Sequence, residues 1–202
     1  MTPPYILRPM RLEDIPQVVA IDRESFPTPW SSRTYAFEIN NNESSQMVVL
    51  EAPVIRPPNS NGLGRMFRRL WHEAPASTGT VVGYGGCWLI AGEAHISTIA
   101  VHPDYRGKGL GELLLIGMLQ RALNLGGEYS VLEVRVSNEP AQALYRKHEY
   151  VIVGRRTGYY RDNGEDAYLM EVRPLDEGYQ QRLTERTLAL RQRINFVDQF
   201  TG

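Results

Sequence analysis

The alternation of apolar and polar positions divides the chain into short strands and short helices. Ile6-Leu7 opens a strand. From about Asp14, the positions Ile15, Val18, Val19 and Asp22 follow a helical spacing, with Pro16 tolerated in the first turn. Phe26-Pro-Thr-Pro-Trp30 stops that helix, and Ser31 or Ser32 caps a second one running to about Asn40. Met47 to Glu51, Thr80 to Ile90 and His95 to Val101 read as strands, the last two joined by a turn at Ala91-Gly92-Glu93. A strongly apolar helix follows the glycines at 109 and 111, runs to about Leu125 and ends at Gly126-Gly127. In the strand Ser130 to Val136, one face carries Val131, Glu133 and Arg135, the other Leu132, Val134 and Val136. A helix from Glu139 to about His148 comes next. Two strands, Tyr150 to Arg156 and Asp166 to Val172, follow and are joined by a hairpin loop from Tyr159 to Gly164. Asp176 to Phe200 is expected as one last helix, with Leu183, Thr187, Leu190, Ile194 and Val197 forming a seam spaced four, three, four, three. That seam must pack on this chain or on a second copy, as in a homodimer. Strands and helices alternate without a strict βαβ rhythm, so the expected fold is α/β with a mixed sheet, not a Rossmann fold or a barrel.

One stretch breaks this pattern. Residues 52–79 are rich in proline and glycine and carry Arg56, Arg65, Arg68 and Arg69 against a single Glu73. Inside it, Leu63, Met66, Phe67, Leu70 and Trp71 fall on one helical face. Two readings stand: a short surface helix, or a docking element for an acidic or RNA-bearing partner such as the ribosome. The chain divides into residues 1–174, interrupted by this insertion, and a helical extension at 175–202.

Composition narrows the classes. A chain of 202 residues that is 42% hydrophobic and 22% charged has the make-up of a folded globular protein. The formal net charge of −1 argues against a nucleic-acid footprint over the whole molecule. No apolar run reaches the ~18 residues of a membrane span, and the first residues carry no apolar signal region, so a cytoplasmic protein away from membranes is expected. The single cysteine, Cys87, excludes an internal disulfide. His72, His95, His102 and His148 lack zinc-type spacing, and no metal is expected.

The densest chemical signal is Arg106-Gly-Lys-Gly-Leu-Gly111, between a strand and a helix. Amides at a helix start suit a phosphate, and glycine lets the backbone approach it. The pattern alone also fits a plain strand-to-helix turn. It is not a P-loop, because Lys108 is followed by Gly109, and it lacks the third glycine of a dinucleotide fingerprint.

The longer run Ile99-Ala-Val-His-Pro-Asp-Tyr-Arg-Gly-Lys-Gly-Leu-Gly111 resembles the acetyl-coenzyme-A signature of the GNAT (Gcn5-related) acetyltransferases. Their pattern Arg/Gln-x-x-Gly-x-Gly/Ala is met by Arg106, Gly109 and Gly111. Leu132-Glu-Val-Arg-Val-Ser-Asn138, Ala143-Leu-Tyr145, Phe26-Pro-Thr-Pro-Trp30-Ser31 and Tyr159-Tyr160 are similar to the RimI branch, which acetylates the N-terminal alanine of a small-subunit ribosomal protein. The resemblance covers Ile6 to Val172 apart from the insertion. It implies a splayed, mostly antiparallel mixed sheet whose strands part beside the cofactor helix. It also implies acetyl-CoA as cosubstrate. Ile99, Ala100 and Val101 would align its arm, the loop Arg106, Gly107, Lys108, Gly109, Leu110 and Gly111 would hold its pyrophosphate, and Asn138 and Tyr145 would touch it. Phe26, Trp30, Tyr159 and Tyr160 would line the groove for a peptide or protein N-terminus. One departure stands out: His148-Glu149-Tyr150 replaces the usual Leu-Gly-Phe.

The chemistry needs a base and an acid. An α-amino group with a pKa of ~8 needs modest help to become neutral, whereas a lysine amine near ~10.4 needs more. Glu133 is the candidate base and Tyr145 the candidate acid for the departing thiolate, both by analogy with the family. Read from the residues alone, Glu133 could be an ordinary ion pair with Arg135, and Tyr145 a core tyrosine. A strand amide near Val101 would hold the charge developing on the carbonyl oxygen. Two other functions remain open: an acetyltransferase for a small amine or a lysine side chain, and a coenzyme-A-binding partner subunit with little catalysis.

Overall fold

The computed structural model describes residues 3–53 and 79–202. The segment Leu63 to Trp71, with its proposed helix and docking role, lies outside the described residues. Eight strands form one sheet: β1 (Tyr5–Pro9), β2 (Ser45–Glu51), β3 (Val81–Ile90), β4 (Glu93–Val101), β5 (Tyr129–Arg135), β6 (Val151–Tyr160), β7 (Glu165–Val172) and β8 (Phe196–Asp198). Their order is β6-β7-β5-β4-β3-β2-β1-β8. Helices α1 (Ile15–Ser25) and α2 (Ser32–Asn40) cover one face; α3 (Leu110–Asn124) and α5 (Glu177–Arg191) pack into the core on the other, where α4 (Glu139–Lys147) also lies.

Strand alternation assigns the faces. In β2, Met47 and Val49 join the core under α1 and α2 with Val18, Tyr35 and Tyr84. Val48 and Leu50 join the core under α3 with Leu7, Leu114 and Met118. Helix α3 is apolar almost all round because it is wedged between the sheet and α5.

β1 to β4 run as antiparallel neighbours. Ala52 N–H donates to Thr80 O at 2.8 Å, so the insertion leaves and re-enters this meander at one point. Between Gly86 and Cys87 the β3–β4 register shifts, leaving Ser97 as an extra residue on β4. The bulge explains why Ile96 and Ile99, three apart, both face the α3 core. β4 and β5 then pair in parallel over three residues each, Glu93 to His95 with Tyr129 to Val131. Beyond that they separate, and the wedge between them holds the site.

Three expectations are corrected. The last helix is not continuous to Phe200: α5 ends at Arg191, and β8 pairs in parallel with β1. Ile194 and Phe196 are buried while Val197 is exposed, the alternation of an edge strand. The seam residues Leu183, Leu190 and Ile194 are buried against this chain's own core, which removes the basis for a homodimer through that helix. Tyr159 and Tyr160 belong to β6, not to a hairpin loop.

The departure at His148-Glu149-Tyr150 also has a structural account. Glu149 sits at φ +69°, the left-handed region that suits the glycine of the usual motif. Arg182 of α5 grips its carboxylate with two hydrogen bonds of 2.9 Å, and Arg186 adds one of 2.7 Å. The strain of ~1–2 kcal/mol for such a residue is offset by this charged clamp. The clamp also ties α5 to the end of α4.

Candidate active site

A cavity of about 550 Å3 opens where β4 and β5 part. Ile99, Glu133, Asn138 and Tyr145 line it, as do Phe26, Trp30, Tyr159 and Tyr160. The wedge thus gathers candidates from the α1–α2 loop, β4, β5, α4 and β6. Ala100 is outside the lining, buried under α1, and Val101 packs on the α3 core. The loop from Arg106 to Gly111 also lies outside the lining, at the start of α3.

That loop is shaped by backbone. Gly107 and Gly109 have φ +75° and +83°, where a side chain would be strained. A Cβ on Gly109 would also lie 3.0 Å from Ile194 Cδ1. Arg106 Nε donates to Val101 O at 3.0 Å, fastening the loop to the end of β4, and its terminal nitrogen donates to Ser25 Oγ at 3.2 Å. Lys108 reaches back to Asp104 O at 3.1 Å. The first intrahelical bond runs from Leu113 N–H to Gly109 O, so the amides of Leu110, Gly111 and Glu112 have no intrahelical acceptor. Free amides, a helix start and two cations fit a pyrophosphate. The open wedge beside Ile99 fits an extended arm.

Glu133 has a different environment from the one its strand neighbours suggest. Its side chain is 6% exposed, and His95 Nε2 lies 2.8 Å from Oε2. A terminal nitrogen of Arg156 lies 2.9 Å from Oε1. The hydrogen bond and electrostatic interaction with His95, followed by the charge of Arg156, outweigh burial and hold the carboxyl below the usual range. Arg135, the expected partner, pairs instead with Asp162 at 2.7 Å and Glu165 at 3.0 Å, and its guanidinium lies 3.8 Å from the centre of the Tyr160 ring. Residues i and i+2 on a strand share a face but stand about 6.8 Å apart, so partners across the sheet win.

Tyr145 is half-buried on α4, its ring 5.8 Å from that of Tyr150. Burial raises its pKa, so its proton is retained at neutral pH. Its hydroxyl forms no hydrogen bond to any described residue. Asn138 caps α4, its Oδ1 accepting from Ala141 N–H at 3.2 Å. Cys87 is buried and its thiol is pushed up to about 12 by that burial, as expected of an inert strand residue. Among the described residues, no group of three or more His, Cys, Asp or Glu side chains could hold a metal ion. No described helix is long and apolar enough to cross a membrane.

Several residues of the site escaped the sequence reading. Asp22, 2% exposed, lines the cavity. One oxygen accepts from the Trp30 amide at 2.6 Å and the other from the Tyr84 hydroxyl, which pins the α1–α2 loop to β3. His95 and Arg156 reach Glu133 from strands on either side of β5, a register that no linear spacing reports.

Residues 15–150 match the model of the acetyltransferase (GNAT) family. The chain belongs to that family. It is an acetyl-CoA-dependent N-acetyltransferase with the family's splayed sheet. A Bacillus subtilis protein named as a putative ribosomal protein bS18-alanine N-acetyltransferase is 36% identical over 166 residues, 82% of this chain and 93% of the relative. The crystal structure of the Escherichia coli ribosomal-protein-S18-alanine N-acetyltransferase superposes with a TM-score of 0.65 at 25% identity, covering 84% of this chain and 94% of that one. The fold is shared more widely. Arabidopsis thaliana NAA60 in complex with acetyl-CoA, 18% identical, gives a TM-score of 0.66 over 84% of this chain and 98% of that one. This acetyltransferase is therefore similar to the RimI-type members of the family.

Proposed function

We propose that this acetyltransferase acts on protein N-termini, moving the acetyl group of acetyl-CoA to the α-amino group of an N-terminal alanine or similar residue, with a ribosomal protein as substrate. The observation that carries the chemistry is the Glu133 carboxylate, nearly buried yet facing the cavity and kept ionised by His95 and Arg156. Acetyl-CoA supplies an activated thioester carbonyl. Glu133 accepts the proton of the substrate ammonium, directly or through a water, so that the amine attacks as a neutral base. Tyr145 returns a proton to the departing sulfur, a role suited to a phenol that burial keeps protonated. The loop Arg106 to Gly111 and the strand Ile99 to Val101 hold the cosubstrate, with Asn138 beside its arm. Phe26, Trp30, Tyr159 and Tyr160 hold the peptide. The reading carries a cytoplasmic location, where ribosomal N-termini are met.

The names of similar proteins support the α-amino substrate. An α-amine is also the easier substrate for a carboxylate held below its usual pKa, because its own pKa is about two units under that of lysine. The test is acetyl transfer to peptides with free N-termini beginning Ala, Ser, Met or Gly, beside N-terminally blocked lysine peptides and polyamines. Turnover confined to free N-termini, highest on alanine, is expected. Turnover only on lysine side chains or polyamines would overturn the substrate, and coenzyme A binding without any turnover would leave a binding subunit.

A further inference from the structure

We infer that Trp88 is a positioning residue that couples the acceptor wall at Trp30 to the Glu133–His95 pair. The inference rests on the reading of Glu133 as base and Trp30 as acceptor wall. It adds a residue that lies outside the cavity lining and carries no titratable group.

Trp88 stands on β3 directly across from His95 of β4, just past the bulge. Three contacts fix its indole. Its Nε1–H donates to Glu38 Oε2 of α2 at 2.8 Å. Glu38 is 7% exposed and its same oxygen takes a bond from Asn42 at 2.9 Å, so the acceptor is itself held. One ring contact is with Trp30, stacked with centroids 6.4 Å apart and planes 10° apart. The other is with His95, perpendicular at 88° with centroids 5.5 Å apart. His95 then reaches Glu133 at 2.8 Å.

The physical consequence follows from the indole's rigidity. A bond from the ring N–H to a buried oxygen that is itself held sets the ring plane. That plane determines both aromatic contacts at once, since stacked and edge-on partners need defined orientations. Rotating the indole would withdraw a surface from Trp30 and from His95 together. The Trp30 backbone is separately pinned by Asp22, and its ring lies between Tyr35, at 5.4 Å between centroids, and Trp88, which supplies its stacked face. His95 has no comparable second ring contact among the described residues. The titratable and charged groups facing Glu133 are His95 from β4 and Arg156, Tyr159 and Tyr160 from β6. A loosened His95 would leave Arg156 as the remaining close partner of the Glu133 carboxylate.

The test is steady-state kinetics on an alanine-initiated peptide for Trp88→Phe, Glu38→Ala, Glu38→Gln and Glu133→Gln in the full chain. Trp88→Phe and Glu38→Ala should raise the peptide KM by about five- to tenfold, with the acetyl-CoA KM within about twofold of the parent. Both should move the acid limb of the kcat/KM profile to higher pH, because loss of the His95 bond raises the carboxyl pKa. Glu38→Gln should stay near the parent, since its amide oxygen still accepts the indole proton. A lowered Tm with unchanged peptide KM and pH profile would reduce Trp88 to a packing residue and overturn the proposal. So would Glu38→Gln behaving like Glu38→Ala. The Glu38 pair keeps the test open if Trp88→Phe does not fold. Full turnover by Glu133→Gln overturns the base reading and this proposal with it. Loss of turnover there, beside unmoved Trp88→Phe and Glu38→Ala profiles, overturns this proposal alone.

Discussion

The two ends of the proposed site are built by opposite means. The end proposed for the cosubstrate, outside the cavity lining, is made of backbone: two glycines at positive φ, free amides at the start of α3, and an arginine tied to a carbonyl. The acceptor end is made of side chains brought from α1, α2, β3, β4, β5 and β6: Asp22, Glu38, Trp88, His95, Glu133 and Arg156. Backbone recognition can serve any substrate that carries the same cofactor. Side-chain recognition can be changed one residue at a time, which suits the end that must distinguish amines. A shared fold therefore says little about which amine is used.

Substitutions at each end should separate the two. Glu133→Gln should lower kcat on a peptide about 100-fold or more, the usual scale of general-base loss, without changing acetyl-CoA affinity measured by calorimetry. Tyr145→Phe should cost about 10- to 100-fold in kcat, again with cosubstrate affinity retained. Gly109→Ala addresses the other end: it forces a side chain into left-handed backbone and against Ile194. The loop should relax out of this geometry in the free variant, and restoring it at ~1.4 kcal/mol would weaken acetyl-CoA binding about tenfold, with the pH profile unchanged. Arg156→Ala should move the acid limb of kcat/KM upward. Its loss raises the Glu133 pKa, so protonation begins at higher pH; a pH series at fixed peptide concentration below KM would show it.

The smallest effect concerns the α4–α5 clamp. Glu149 is held down to about 2, first by the Arg182 hydrogen bond. Its folded pKa lies below the ordinary glutamate value of ~4.3, so the clamp's stability is full above that value and disappears as pH falls toward 2. Glu149→Gln should lower Tm slightly at pH 7, because the clamp is partly exposed. Near pH 2 the difference from the parent should vanish in a melting series.

The contrast between the two ends also explains what could be read in advance. The α3 loop was legible because glycine at positions 107 and 109 is itself the mechanism of the turn. Most strands were legible from alternation, and α3 from its apolar run. The acceptor end left no such trace. Glu133 has Arg135 two places away in sequence, but its partners lie 38 and 23 positions away on β4 and β6. β8 was hidden because Leu190, Ile194 and Val197 fit a helical period as well as a turn and a short strand. Only the pairing with β1 decides between them. Glu149 was seen as a departure, yet the arginines that make it tolerable sit on a helix whose docking was unknown.

The pairing of β8 with β1 has a consequence for how the enzyme is made. β1 lies near one end of the described chain and β8 near the other, and Leu190 and Ile194, just before β8, back the turn at Gly109. During synthesis, β1 waits for this outer neighbour until residues 196–198 have left the ribosome. The turn at Gly109 lacks Leu190 and Ile194 for much of the same interval. A nascent chain stopped before Leu190 would hold both catalytic candidates and most of the sheet, yet lack the side chains that back the turn at Gly109. The last support of that turn is thereby deferred until residues 190–198 have emerged.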